Sequence, residues 1–307
     1  MDTFLKEQLQ SILDLPVKWN CPLADYTSIN IGGPAEGLCV VQNREELQQV
    51  LAFAEAHRIP WRAIGRGTNL LVRDEGFAGI IIILGEEFQQ ISCLKKNGSG
   101  KYLVKAGGGC GLARLSVRCM EDGLSGLEFA GGIPGSVAGA VVMNAGAWGG
   151  QIADILTRVD LVSSAGKIVL MREELQFGYR NWLDFGKYRD SHVLVAAEFE
   201  LHLEDHEKIR TKCRELQERR RQTQPRGVAN AGSFFQNPDH DSAGRLIDAS
   251  GCKGKQIGGA KVSEVHANFL VNCGGATAAD MFSLMHFVQD KVKHDSGIEL
   301  EPEVHFL

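Results

Sequence analysis

No CxxC pair occurs among the eight cysteines, which stand apart at 21, 39, 93, 110, 119, 213, 252 and 273, so the spacing encodes neither a redox dithiol nor a zinc ribbon. The opening stretch MDTFLKEQLQ lacks the apolar core that a secretory signal requires. Scattered thiols without an export signal point to a reducing cytoplasm. Positive charge is not in excess either: a formal net charge of -5 gives no general attraction to a phosphate backbone, and nucleic acid is not an expected partner. There is no GxxxxGK[ST] phosphate loop and no GxSxG nucleophile elbow, which sets aside kinase and α/β-hydrolase readings. Gly65-Arg66-Gly67-Thr68-Asn69-Leu70 begins like a dinucleotide fingerprint, but leucine stands where the third glycine must let helix and strand approach. Gly107-Gly108-Gly109-Cys110-Gly111 fails in a similar way, so a Rossmann fold is not expected.

One stretch lacks charge altogether. Phe129 through Ala153 carries no ionisable side chain and has Gly135 and Gly139 at a membrane-packing spacing. Its seven glycines, Pro134, Ser136 and Asn144 are poor material for a spanning helix, which needs strongly apolar side chains. A buried loop rich in exposed backbone is expected instead, and no membrane partner. Asn97-Gly98-Ser99 matches a glycosylation acceptor, but without export it reads as a turn. His202 and His206 are spaced i,i+4, yet no further ligands follow in a recognised spacing. They are expected to be surface histidines at a strand end, and no metal is assigned.

What is present fits an α+β protein of 307 residues, long enough for two or three cores. Residues 37–71 read as strand, helix, strand and loop. Asn43 is the expected N-cap, with Glu46 completing a capping-box-like start and Leu47, Val50, Leu51 and Ala54 on the face that should cover a sheet. Short β-rich runs follow at Ile80–Ile83, Tyr102–Val104, Val159–Val162 and Val193–Val195. The charged segment 203–224, stopped by Pro225, is expected to be a solvated helix opening the last domain. A further helix should start near Thr277, with Asp280 in the cap and Met281, Leu284, Met285 and Val288 on a core stripe. Three divisions are expected: 1–77, 78–202 and 203–307.

Two loops, 65–71 and 131–146, place glycines beside small hydroxyl and amide residues. A pyrophosphate needs such a surface, with exposed N–H groups and no Cβ in the way, but tight turns use the same composition. The order of residues is more specific. Gly131-Gly132-Ile133-Pro134-Gly135-Ser136-Val137-Ala138-Gly139-Ala140, followed by Asn144-Ala145-Gly146-Ala147, resembles the signature of the UDP-N-acetylenolpyruvoylglucosamine reductase family. Asn30–Ala35, Ala231–Pro238, Gly259–Phe269 and Leu300–Val304 are similar to further motifs of that family, so the likeness spans nearly the whole chain.

The resemblance implies a two-subdomain FAD-binding fold of the vanillyl-alcohol-oxidase type followed by an α+β substrate-binding domain. FAD would be held by Gly65, Arg66, Gly67, Thr68, Asn69, Leu70 and Leu71 and by Gly132, Ile133, Pro134, Gly135 and Ser136, supported by Gly139, Asn144 and Gly146. NADPH would be the hydride donor, and a nucleotide-sugar enolpyruvyl ether the acceptor. The resemblance further implies catalysis by Arg180, Ser233 and Glu303, with Tyr179, Gln236 and Asn237 on the substrate. Tyr188-Arg189-Asp190-Ser191 repeats the Tyr-Arg pair, and Arg180 is preferred for its Gly178-Tyr179 context. Three positions depart from the family pattern: Arg66 for a small residue, Gln236 for lysine and His305 for arginine. Without that lysine, Arg221 or Arg226 would supply the anion contact. A short form of the enzyme, monomeric, is expected. A flavin oxidase of the same fold and a non-catalytic nucleotide-sugar binding protein are the rival readings.

Overall fold

The computed structural model describes residues 1–96 and 101–307, so the Asn97-Gly98-Ser99 turn lies outside the described residues. The chain forms two units, each gathered from separate stretches. One comprises Met1–Trp19, Glu36–Gly65 and Gly79–Glu218, and the other Asn20–Ala35, Arg66–Ala78 and Arg219–Leu307.

In the first unit, helix α1 (Thr3–Ile12) and helix α2 (Arg44–Ala56) cover strands Pro34–Val41, Phe77–Leu84 and Trp61–Ala63, the last two running parallel. The expected stripe on α2 is buried, with Leu47, Val50, Leu51 and Ala54 packed in one core with Cys39, Ile80 and Ile82. Asn43 caps α2 by accepting from the Glu46 amide at 2.9 Å. The return half of the expected capping box differs: the Glu46 carboxylate takes the amides of Gln42 (2.6 Å) and Asp14 (3.2 Å), tying the end of α1 to the start of α2.

An antiparallel sheet forms the rest of this unit, in the order Gly166–Met171, Leu156–Ser163, Val193–Leu203, Tyr102–Gly107, Ile91–Lys96. Its central strand is buried from Val193 through Phe199, because both of its faces are covered. A bulge makes this possible. Leu161 pairs with Leu194 while Asp160 pairs with Ala196, so one extra residue exchanges the faces of the strand. Val193 and Val195 join the core beneath α2, whereas Leu194, Ala197, Phe199 and Leu201 join a second core with helix α3 (Leu112–Glu121) and helix α4 (Val137–Val142).

The uncharged stretch contributes only the six residues of α4 as α-helix, and no helix among the described residues is long and apolar enough to cross a membrane. The neighbouring strand Leu156–Ser163 carries a buried charge. Asp160, nearly buried, receives Lys105 Nζ at 2.7 Å and Lys167 Nζ at 2.9 Å. Burial pushes its carboxyl up, but the two lysine hydrogen bonds outweigh that and hold it below the usual carboxylate range. His202 sits exposed near the strand's end and His206 opens helix α5 (His206–Thr223), the expected charged helix, on which only Ile209, Cys213 and Leu216 are buried.

The second unit packs helix α6 (Ala243–Ala249) and helix α7 (Ala278–Ser296) on four short antiparallel strands, ordered Ala229–Asn230, Leu270–Asn272, Ala260–Val262, Gln256–Ile257. Thr277 and Asp280 form the expected capping box of α7, and Met281, Leu284, Met285 and Val288 are all buried. Asp74, from the earlier stretch of this unit, adds a second cap by accepting the amides of Ala278 (2.8 Å) and Ala279 (3.0 Å). Ile29, Ile31 and Leu71 complete this unit's core.

Candidate active site

In the first unit Gly65, where the first glycine loop begins, meets the second loop. Gly65 lies directly against Ser136, so a Cβ at position 65 would collide with the Ser136 hydroxyl. Ser136 is almost wholly buried and caps α4 by accepting from the Gly139 amide at 3.2 Å. Its loop is held open by main-chain bonds on either side: Leu112 N–H donates to Gly135 O (3.0 Å) and Val137 N–H to Cys110 O (2.8 Å). Gly132 and Gly135 have φ values of 84° and 134°, a region that favours glycine.

Among the described residues, the amides of Gly132, Gly135 and Ser136 donate to no protein acceptor, whereas those of Gly131, Ile133, Val137 and Ala138 do. The amide of Gly65 likewise meets no protein acceptor among the described residues. Uncommitted N–H groups on chain without Cβ atoms are what a diphosphate requires, so these residues fit the phosphates of FAD.

Asn144 and Gly146 play different local parts. Gly146 opens a two-stranded hairpin with Gly150–Gln151, where a Cβ would strike Gln151. The buried Asn144 side chain donates to Gly178 O and Gln151 Oε1, both at 2.9 Å, and accepts from Ala153 N at 2.9 Å. Gly178 precedes the Tyr179-Arg180 pair, which forms the two-residue turn between the paired segments Phe177–Gly178 and Asn181–Trp182. Arg180 is half-buried with φ 54°, and its guanidinium lies over the Tyr179 ring at 5.5 Å. A positive φ at a non-glycine residue costs about 1–3 kcal/mol and tends to mark functional positions. Arg189, the competing arginine, is exposed and pairs with Asp190 at 3.7 Å.

The second unit gathers three motifs that lie far apart in sequence. Glu303 donates its amide to Phe234 O at 2.9 Å, Gln236 donates to Glu301 O at 2.8 Å, and Phe235 bridges Pro302. Ser233 and Glu303, both half-buried, are thereby brought onto adjoining segments. Loop 66–71 joins them: Asn69 Nδ2 donates to Glu303 O (3.0 Å), His305 donates to Asn69 O (3.1 Å), and Leu70–Leu71 pairs in parallel with His305–Phe306. Leu71 itself is fully buried and serves the core. Gly67 has φ 59°, and a Cβ there would run into the Tyr26 carbonyl, so only glycine suits the approach. Asn237 Oδ1 accepts from Ala243 N (3.0 Å) at the start of α6. The side chain of Gln236 is half-buried beside it.

Asn268 is the residue that motif reading quoted without assigning a role. Almost fully buried, it accepts from Phe235 N (2.9 Å), donates to Phe235 O (2.8 Å), and offers its own carbonyl to Phe234 N (2.7 Å). It clamps the segment that carries Ser233. Its amide in turn donates to His266 Nδ1 at 3.2 Å. Burial, then the charge of Lys253, holds His266 below its ordinary pKa, which keeps that nitrogen an acceptor. A buried asparagine beside two phenylalanines has no distinctive spacing, and only the fold reveals what it holds.

Residues 35–172 match the FAD binding domain family, and together with the glycine cradle this places the chain among FAD-dependent oxidoreductases. Residues 224–307 match the family described as UDP-N-acetylenolpyruvoylglucosamine reductase, C-terminal domain. The proteins of Bacillus pumilus and Syntrophus aciditrophicus named UDP-N-acetylenolpyruvoylglucosamine reductase are 39% and 41% identical, over 99% and 100% of this chain and 96% of each relative. The crystal structure of the Thermus caldophilus reductase of that name is similar with a TM-score of 0.79 and 38% identity, covering 93% of this chain and 97% of that one. The chain belongs to the UDP-N-acetylenolpyruvoylglucosamine reductase family.

Proposed function

We propose that the chain reduces the enolpyruvyl ether of UDP-N-acetylglucosamine enolpyruvate to UDP-N-acetylmuramate, with NADPH as electron source, in the cytoplasmic synthesis of peptidoglycan precursors. The observation that supports it most is the pairing of Phe234–Gln236 with Glu301–Glu303, which sets Ser233 and Glu303 on adjoining segments drawn from two distant motifs. FAD, when bound, supplies two-electron transfer between a nicotinamide and the alkene. The reaction adds hydride to the terminal alkene carbon and a proton to its neighbour, with negative charge conjugated to the substrate carboxylate in between.

Ser233 is the proposed proton donor to that neighbouring carbon, since its segment is fixed by the Asn268 clamp and a half-buried hydroxyl can face the substrate. Glu303 would support proton delivery from the adjoining segment, and Arg180 with Tyr179 would bind the developing charge through a guanidinium fork and a phenol. Gln236 and Asn237 are proposed to reach polar groups of the nucleotide sugar. The glycine cradle would hold the flavin diphosphate through its uncommitted amides. The working form is taken to be a monomer.

Stopped-flow spectroscopy separates the two halves of the reaction. The parent protein should bleach with NADPH and recover its colour rapidly only with the enolpyruvyl sugar. In Ser233→Ala, bleaching should persist while recovery slows by about a hundredfold, the loss expected for a positioned proton donor. Equal slowing of both halves rejects the role of Ser233. Rapid recovery in air after reduction by alcohols would identify an oxidase instead, and a colourless protein that binds the UDP-sugar would identify a binding protein.

A further inference from the structure

Asn144 stands at the end of α4 in the left-handed region, with φ 42°. Its amide donates to Val141 O at 3.0 Å, and the next amide, that of Ala145, reaches back to Ala140 O at 2.8 Å. These bonds make a glycine-type helix stop, which glycine would satisfy without strain. Helix termination alone therefore does not call for an amide side chain. The side chain nevertheless donates to Gly178 O and Gln151 Oε1 and accepts from Ala153 N, all inside a site only 2% exposed.

None of those bonds points outward to a ligand. One of them fixes the carbonyl immediately before Tyr179 and Arg180, in a turn whose arginine holds a strained φ of 54°. The hairpin is registered by the pairs Phe177 with Trp182 and Gly178 with Asn181 and by Leu183 N–H to Gln176 O at 2.8 Å, and the Asn144 bond ties this hairpin to the end of α4. We infer that Asn144 is a positioning residue that acts through Arg180: its Nδ2 bond to Gly178 fixes where the Tyr179-Arg180 turn presents the guanidinium. This rests on the assignment of Arg180 to the reaction. It separates Asn144 from the cofactor contacts that its place in the glycine signature would suggest.

The test uses the intact flavoprotein and two substitutions. Asn144→Gly keeps the left-handed turn unstrained and removes all three side-chain bonds. Asn144→Asp keeps an acceptor for Ala153 but replaces the donor facing Gly178 O with a carboxylate oxygen. Both should retain flavin and be reduced by NADPH within about twofold of the parent rate, yet be reoxidised by the enolpyruvyl sugar about 10- to 100-fold more slowly, the loss expected for misplacing a catalytic group by about 1 Å. Because the effect runs through Arg180, Asn144→Gly should slow an Arg180→Ala protein by no more than about threefold, as coupled sites do.

Flavin loss in both variants, or parallel slowing of both half-reactions, would return Asn144 to the cofactor cradle or to a purely structural part and overturn the inference. Multiplying effects in the double variant would overturn it while leaving the Arg180 assignment in place. An Arg180→Ala protein that reoxidises at the parent rate would remove that assignment and the inference together.

Discussion

Replacing Asn268 by alanine tests how the Ser233 segment is held. Phe235 is 0% exposed, and both its N–H and its C=O are satisfied by the Asn268 side chain, at 2.9 and 2.8 Å. Alanine leaves those two main-chain groups in the core without partners, and an orphaned buried group costs about 1–3 kcal/mol. About 4 kcal/mol is then the central expectation, which for a unit of roughly 120 residues lowers the melting temperature by about 16 °C. Scanning calorimetry at neutral pH measures it directly. Asn268→Asp sharpens the test, because an ionised carboxylate accepts from Phe235 N–H but cannot donate to Phe235 O. Burial would hold such a carboxyl protonated well above the usual range, so this variant should regain stability as the pH falls, while Asn268→Ala should not. A melting temperature within about 2 °C of the parent for Asn268→Ala would refute the clamp, since one lost bond with full compensation by water costs about 1 kcal/mol or less.

Two further outcomes follow from the same geometry. Gly65→Ala places a methyl on the Ser136 hydroxyl, so flavin affinity should fall by about 10- to 100-fold in fluorescence titrations, and Ser136→Ala in the same chain should restore part of it. Unchanged flavin affinity in Gly65→Ala would remove that loop from the cradle. The depressed His266 gives a stability contribution that is complete above its ordinary pKa of 6.5 and is lost as the pH falls through the lower folded value. Thermal stability should therefore decline below pH 6.5 more steeply in the parent than in His266→Gln, and parallel profiles would show that the ring does not titrate against folding.

Local signals were legible wherever the physics is local. The Thr277–Asp280 box, the Asn43 cap and the stripe on α2 depend on residues within one or two turns, and each forms as read. The Glu46 carboxylate escaped that reading because its partners, Gln42 and Asp14, compete with the cap amide from outside the helix. The bulge near Val195 was also hidden, since a run of small and branched residues looks the same whether or not the faces exchange. For the candidate site, glycine order marked the two loops, but not which of their amides remain uncommitted. Asn144 and Asn268 gain meaning only through partners 34 and 33 residues away, which no periodicity connects to them.

The second unit is woven from three stretches, and that limits how it can be taken apart. Residues 224–307, although recognisable as a family domain by themselves, would leave behind Ile29, Ile31 and Leu71 from the core, Asp74 from the first turn of α7, and Ile29 O, which accepts from Asn272 Nδ2 at 3.0 Å. An excised or grafted carboxyl-terminal fragment would thus expose raw apolar surface and an uncapped helix. Chimeras between relatives should survive only when the donor also contributes the two short upstream stretches.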